Sequence, residues 1–107
     1  QETLRDILPV GDRAITIEMI QKTVADHFSM RVQELKSKNN SKSVAVPRQI
    51  CMYLCKKLTG VSLPHIGREF GNKHHTTVLH SINKIEDLRQ QDKDLNRTLQ
   101  TLMDSFK

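Results

Sequence analysis

Apolar residues recur at steps of three and four along almost the whole chain, a pattern that predicts amphipathic helices and an all-α fold. Ile17, Ile20, Val24 and Phe28 mark a helix from about Thr16 to Phe28, with the Thr16 hydroxyl as its N-cap. Ser29 is expected to cap a shorter helix reaching about Ser37, with Val32 and Leu35 turned inward. From Ser37 to Ser43 the chain has no apolar residue and two lysines, the composition of a polar loop. Pro47 suits the first turn of the next helix, where its missing N–H leaves no bond unmade. There Ile50, Leu54 and Leu58 form a row at i, i+4 and i+8, flanked by Cys51, Tyr53 and Cys55, and Thr59-Gly60 ends the run. This is the most apolar stretch and the expected centre of a small bundle.

Two further helices are joined by a tight turn. Leu63, Ile66 and Phe70 define the first, and Gly71-Asn72 stops it because both residues accept the positive φ of a helix C-terminus. Val78, Ile82 and Ile85 line one face of the second. At about 100° per residue, Thr76 falls nearly opposite that face. The first turn therefore presents Thr76 and its neighbours outward, at the positive end of the helix dipole. That is a helix-turn-helix, in which the start of the second helix enters the DNA major groove. Gln90-Gln91-Asp92 then reads as a break, with Asp92 or a neighbour capping a last helix through Leu95, Leu99, Leu102 and Phe106.

The charge distribution adds a partner to this picture. The net charge is +5, but residues 35–85 hold nine basic side chains against the single acid Glu69, while both flanking segments are slightly acidic. Positive charge is concentrated where the helix-turn-helix lies, the footprint of a polyanion partner.

Ile66-Gly67, Phe70-Gly71 and Lys73-His74-His75-Thr76-Thr77-Val78 resemble the signature of the C-terminal DNA-binding domain of the bacterial replication initiators of the DnaA family. Ile20 to Ala25, Ser43 to Gln49 and Ser62-Leu63-Pro64 resemble its other landmarks, so the likeness covers roughly residues 16–106. It implies a linker helix leading into a helix-turn-helix bundle over residues 16–107, with residues 1–15 as the tail of an ATPase lid and a connector. The implied function is sequence-specific binding of double-stranded DNA at short origin elements, the DnaA boxes. The recognition helix would sit in the major groove, with the loop after Ser37 reaching the minor groove. His75, Thr76 and Thr77 match the family's groove-reading His-Thr-Thr, with Thr76 expected on bases and Thr77 on phosphate. Lys42, Arg48, Lys56 and Lys73 are the phosphate candidates, and Pro64 matches a position that touches a thymine methyl. Arg48 is expected at a helix N-terminus, where the dipole opposes its charge unless an anion is bound. Two positions depart from the family. Asn39 and Asn40 stand where an arginine pair is common, so Asn40 would reach the minor groove by hydrogen bonding alone. His74 replaces a frequent aspartate.

Other chemistries fare less well. Cys51 and Cys55 lie four apart on one apolar face and read as core residues; a zinc site would need two more ligands. His74, His75 and His80 have no nearby carboxylate, and adjacent helical residues diverge, so neither a metal site nor an enzyme is expected. No Gly-x4-Gly-Lys-Thr/Ser sequence occurs, so no cofactor is expected here and ATP would bind a module outside these residues. No apolar run approaches the ~20 residues of a membrane span, and no signal-peptide pattern opens the chain. A cytoplasmic, nucleoid-associated monomer without membrane contact is the resulting expectation. The alternatives are a helix-turn-helix transcription regulator, which would dimerise on paired half-sites, and a helical protein-interaction module, which the basic middle segment argues against.

Overall fold

The computed structural model describes residues 14–106, so most of the expected lid tail lies outside the described residues. Among these residues six helices follow in order: α1 (Ile17–His27), α2 (Val32–Leu35), α3 (Lys42–Thr59), α4 (Leu63–Glu69), α5 (His75–Gln91) and α6 (Lys93–Asp104). No strand occurs among the described residues. The all-α expectation holds, and α3 is the central helix, packing against each of the other five. Its middle, from Cys51 to Cys55, is buried residue after residue instead of along one stripe. A helix surrounded on all sides buries every face, and each large side chain enclosed there contributes about 1.5–3 kcal/mol. Cys51 and Cys55 are free thiols in this core.

The outer helices close the bundle with the stripes read from their periodicity. Ile20 and Val24 of α1 and Leu99 of α6 are fully buried, with Leu95 and Phe106 packed against the same cluster. Thr16 caps α1 by accepting from the Met19 N–H at 3.1 Å. Asp92 caps α6 by accepting from the N–H groups of Asp94 and Leu95. One polar group is buried with α1: the Gln21 side-chain amide donates to the Glu69 carbonyl at 2.8 Å, tying α1 to the end of α4.

Two boundaries differ from expectation. Ser29 ends α1 and does not begin α2. Its φ is +54°, the Met30 N–H returns to the Ala25 carbonyl, and the Ser29 N–H returns to that of Asp26. This is a Schellman closure made with serine in place of glycine. The α2 cap is instead at Arg31, whose N–H donates to the Glu34 carboxylate at 3.0 Å.

The second correction has larger consequences. Helix α3 begins at Lys42, with Ser41 as N-cap, so Pro47 lies inside the helix and not in its first turn. The Ser41 carbonyl already accepts from the N–H groups of Val44 and Ala45, and Val44 is buried in this early turn. The proline then forgoes one bond, to the Ser43 carbonyl, in the second turn. Arg48 accordingly sits well inside the helix, away from the orphan N–H groups of its terminus.

Candidate nucleic-acid interface

Helices α4 and α5 meet across the expected turn. Gly71 and Asn72 have φ of +82° and +59°, and α4 is capped by the Ser62 hydroxyl with Pro64 in its first turn. The close approach rests on one further glycine. The Lys73 N–H donates to the Gly67 carbonyl at 2.8 Å, and a β-carbon on Gly67 would lie 2.1 Å from the Lys73 carbonyl oxygen. Only glycine at this point of α4 lets the backbone entering α5 pass so near.

The polar loop before α3 is locked to this turn. A β-carbon on Gly71 would lie 2.2 Å from the Lys36 carbonyl oxygen. Arg48 is buried, and its guanidinium forms the hub of the loop. Nε donates to the Leu35 carbonyl at 3.0 Å, Nη1 to the Asn40 side-chain oxygen at 3.3 Å, and Nη2 to the carbonyls of Ser37 and Asn39 at 2.9 and 2.7 Å. Lys73 reaches the same Ser37 carbonyl from the other side, Nζ to O 3.0 Å. Burial first, then the charges of Arg48 and Lys38, push the Lys73 ammonium below its ordinary value. Burial likewise lowers Arg48. The Asn39 side-chain oxygen is engaged within the loop, accepting from the Ser41 N–H at 2.8 Å. Asn39 and Asn40 are both exposed, and each engages only its side-chain oxygen in these bonds. Arg48 therefore shapes the loop from inside, a role no periodicity or spacing in the sequence announces.

The first turn of α5 carries the residues expected to read the groove. His75, Thr76 and Thr77 are exposed while Val78 behind them is fully buried. The Thr77 carbonyl accepts from the Ser81 hydroxyl one turn on. His74 is the N-cap of α5, its Nδ1 accepting from the Thr76 N–H at 3.2 Å and lying 2.6 Å from Thr76 Oγ1. The His74 and His75 rings lie 4.4 Å apart, tilted by 31°. Lys42, Lys56 and Pro64 are exposed; no hydrogen bond or ion pair ties their side chains to the loop–turn cluster among the described residues. The structure thus gathers Asn40, Arg48 and Lys73 around Ser37, and His74 to Thr77 beside them on the chain. Leu79, 41% exposed on α5, escaped the sequence reading. Its position three residues after Thr76, on the same face, was the available signal.

Among the described residues, no group of three His, Cys, Asp or Glu side chains converges as a metal site, and no helix is long and apolar enough to cross a membrane.

A short helix, a positive-φ turn and a second helix with an exposed polar first turn define a helix-turn-helix domain, the class used for DNA binding. The family described as the bacterial dnaA protein helix-turn-helix matches residues 17–85. The chain belongs to this family. It is 49% identical over 102 residues to the chromosomal replication initiator protein DnaA of Geobacter metallireducens, covering 95% of this chain and 23% of that protein. It is 48% identical over 107 residues to the DnaA of Bordetella pertussis, covering 100% of this chain and 23% of that one. A solved crystal structure of a DNA replication initiation factor superposes with a TM-score of 0.76 at 30% identity, covering 84% of this chain and 27% of that chain. The chain thus spans about a quarter of the length of these relatives.

Proposed function

We propose that the chain is the DNA-reading part of a replication initiator, binding double-stranded DNA at DnaA boxes. Helix α5 enters the major groove and the loop from Lys36 to Ser41 faces the adjacent minor groove. The observation that carries this reading is the joint placement of the two elements. The exposed first turn of α5 and the loop are held together through Gly71 against Lys36 and through Lys73 on the Ser37 carbonyl. A pair of elements reading neighbouring grooves needs such a fixed relation, because phosphate contacts position a protein and base contacts specify its site.

In this reading Thr76 and His75 meet base edges, Leu79 offers an apolar surface to a thymine methyl, and Thr77 meets phosphate. Pro64, one element away, supplies a second apolar contact. Lys42 and Lys56, exposed and without partners among the described residues, neutralise phosphates. Arg48 and Lys73 contribute charge mainly through the loop they organise, and Asn40 offers its amide to the minor groove. The domain works as a monomer on an asymmetric site, and nucleotide binding falls to the remaining part of the full-length initiator.

Binding of the chain to a DnaA-box duplex and a scrambled duplex across a salt series tests the proposal. Tight binding to the box is expected, with Thr76→Ala erasing the preference and Lys42→Ala weakening both duplexes alike. The log–log salt slope is expected to be about −0.9 per phosphate neutralised. Equal weak binding to both duplexes would reduce the domain to a non-specific binder. A dimer on paired half-sites would favour a transcription regulator instead.

A further inference from the structure

His74 stands at the entrance of the recognition helix, and its geometry constrains more than the helix cap. The Thr76 main-chain N–H points at Nδ1 of this ring from 3.2 Å. An amide N–H only donates, so Nδ1 must carry its lone pair, and the proton of the neutral imidazole is on Nε2. Thr76 Oγ1 lies 2.6 Å from the same Nδ1. With no proton on the nitrogen, the hydrogen in this pair is the threonine's own. A free threonine hydroxyl in the groove donates or accepts as the base requires. Here its single hydrogen is committed inward, and only its lone pairs face outward.

We propose that His74 is a specificity-determining positioning residue, which makes the Thr76 hydroxyl an obligate acceptor toward the groove. The base group that satisfies it is an exocyclic amino group, adenine N6 or cytosine N4. Guanine O6 and N7 and thymine O4, which offer only acceptors, would face lone pair against lone pair. His74 itself, spent on the cap, reads no base through Nδ1. This rests on α5 being the groove-reading helix, as proposed above. A carboxylate would serve in the same way, since it too accepts from both the Thr76 N–H and its hydroxyl. An alanine would release the hydroxyl to donate.

The test uses a DnaA-box duplex in which each adenine in turn is replaced by purine, lacking the N6 amino group, and each cytosine by 2-pyrimidinone, lacking N4. The wild-type chain is expected to lose about fivefold in affinity at one position beyond its response elsewhere, the worth of one hydrogen bond. His74→Asp should keep that loss, and His74→Ala should shrink it to under about twofold while still folding by circular dichroism. Nitrogen-15 NMR of neutral His74 should show the Nε2–H tautomer. An Nδ1–H tautomer overturns the proposal. So does box-specific binding in which no position responds, or in which His74→Ala responds as the wild type does. If the wild type binds box and scramble alike, the groove reading itself has failed, which separates the two.

Discussion

Arg48 and Lys73 meet at one oxygen atom, the Ser37 carbonyl, which accepts from Nη2 of the first at 2.9 Å and Nζ of the second at 3.0 Å. Two cations sharing a neutral acceptor repel one another, and Arg48 contributes to the lowered proton affinity of Lys73 after burial itself. The arrangement concentrates positive potential at the joint between the loop and α5, where a polyanion would relieve it.

Replacing Arg48 by Ala should lower the unfolding free energy by about 2 kcal/mol, because carbonyls of residues 35–39 lose charge-assisted donors. Arg48→Lys should recover little, since one ammonium cannot serve the fork that reaches Leu35, Ser37 and Asn39 together. Urea denaturation measures both. A loss below about 0.5 kcal/mol, the ordinary surface value, would refute the hub role. In Arg48→Ala the Lys73 ammonium should also rise part of the way toward 10.5. The sign for stability follows from proton counts. The unfolded chain holds its Lys73 proton more tightly than the folded one, so this group's contribution improves as pH rises through the window just below 10.5.

Gly71 and Gly60 both have positive φ, at +82° and +73°, yet differ in surroundings. Around Gly60 nothing lies within 4 Å of an added β-carbon, while at Gly71 the Lys36 carbonyl stands at 2.2 Å. Gly60→Ala should therefore cost about 1 kcal/mol of left-handed strain alone. Gly71→Ala should cost at least about 3 kcal/mol, because loop and turn must separate. Thermal melting of the two variants side by side reads the difference; equal losses would mean the loop gives way freely.

Tyr53 spans three helices. Its hydroxyl donates to the Glu86 carboxylate at 2.8 Å and accepts from Arg89 Nη1 at 2.6 Å, and Arg89 Nε continues to Asn96 of α6 at 2.9 Å. Tyr53→Phe should destabilise by about 1–2 kcal/mol. The Tyr53 hydroxyl is the main cause holding the Glu86 carboxyl below its ordinary 4.5. The variant should therefore bring Glu86 back toward 4.5, seen by carbon-13 titration. In the wild type, stability from Glu86 is fully present above 4.5 and fades as pH falls through its lower folded value.

Cys51 and Cys55 should resist thiol reagents in the folded protein, since both are fully buried and burial pushes the Cys51 thiol well up. Both should react together once urea unfolds the chain. Rapid labelling of either in native buffer would contradict the core packing.

Where repeated apolar spacing carries the information, as in the Ile20–Val24 and Leu99–Leu102 stripes, the chain alone determines which face is buried, because periodicity is a local property of the helix. The Gly71-Asn72 stop and the outward first turn of α5 were legible for the same reason: positive φ and angular position depend on residues a few steps apart. The start of α3 was not. Pro47 leaves no bond unmade in a first turn and forgoes one in a second, and only the tertiary structure, in which Val44 is buried, shows that the helix begins early enough to bear that loss. Arg48 carries the same lesson further. In the sequence it is one more cation in a basic segment, a natural phosphate ligand. Only the folding of residues 35–40 back across α3 surrounds its guanidinium with carbonyls and makes it the loop's internal support. Partners up to thirteen residues away supply those bonds. Lys73, joined to Ser37 across thirty-six residues, is beyond the reach of any local pattern.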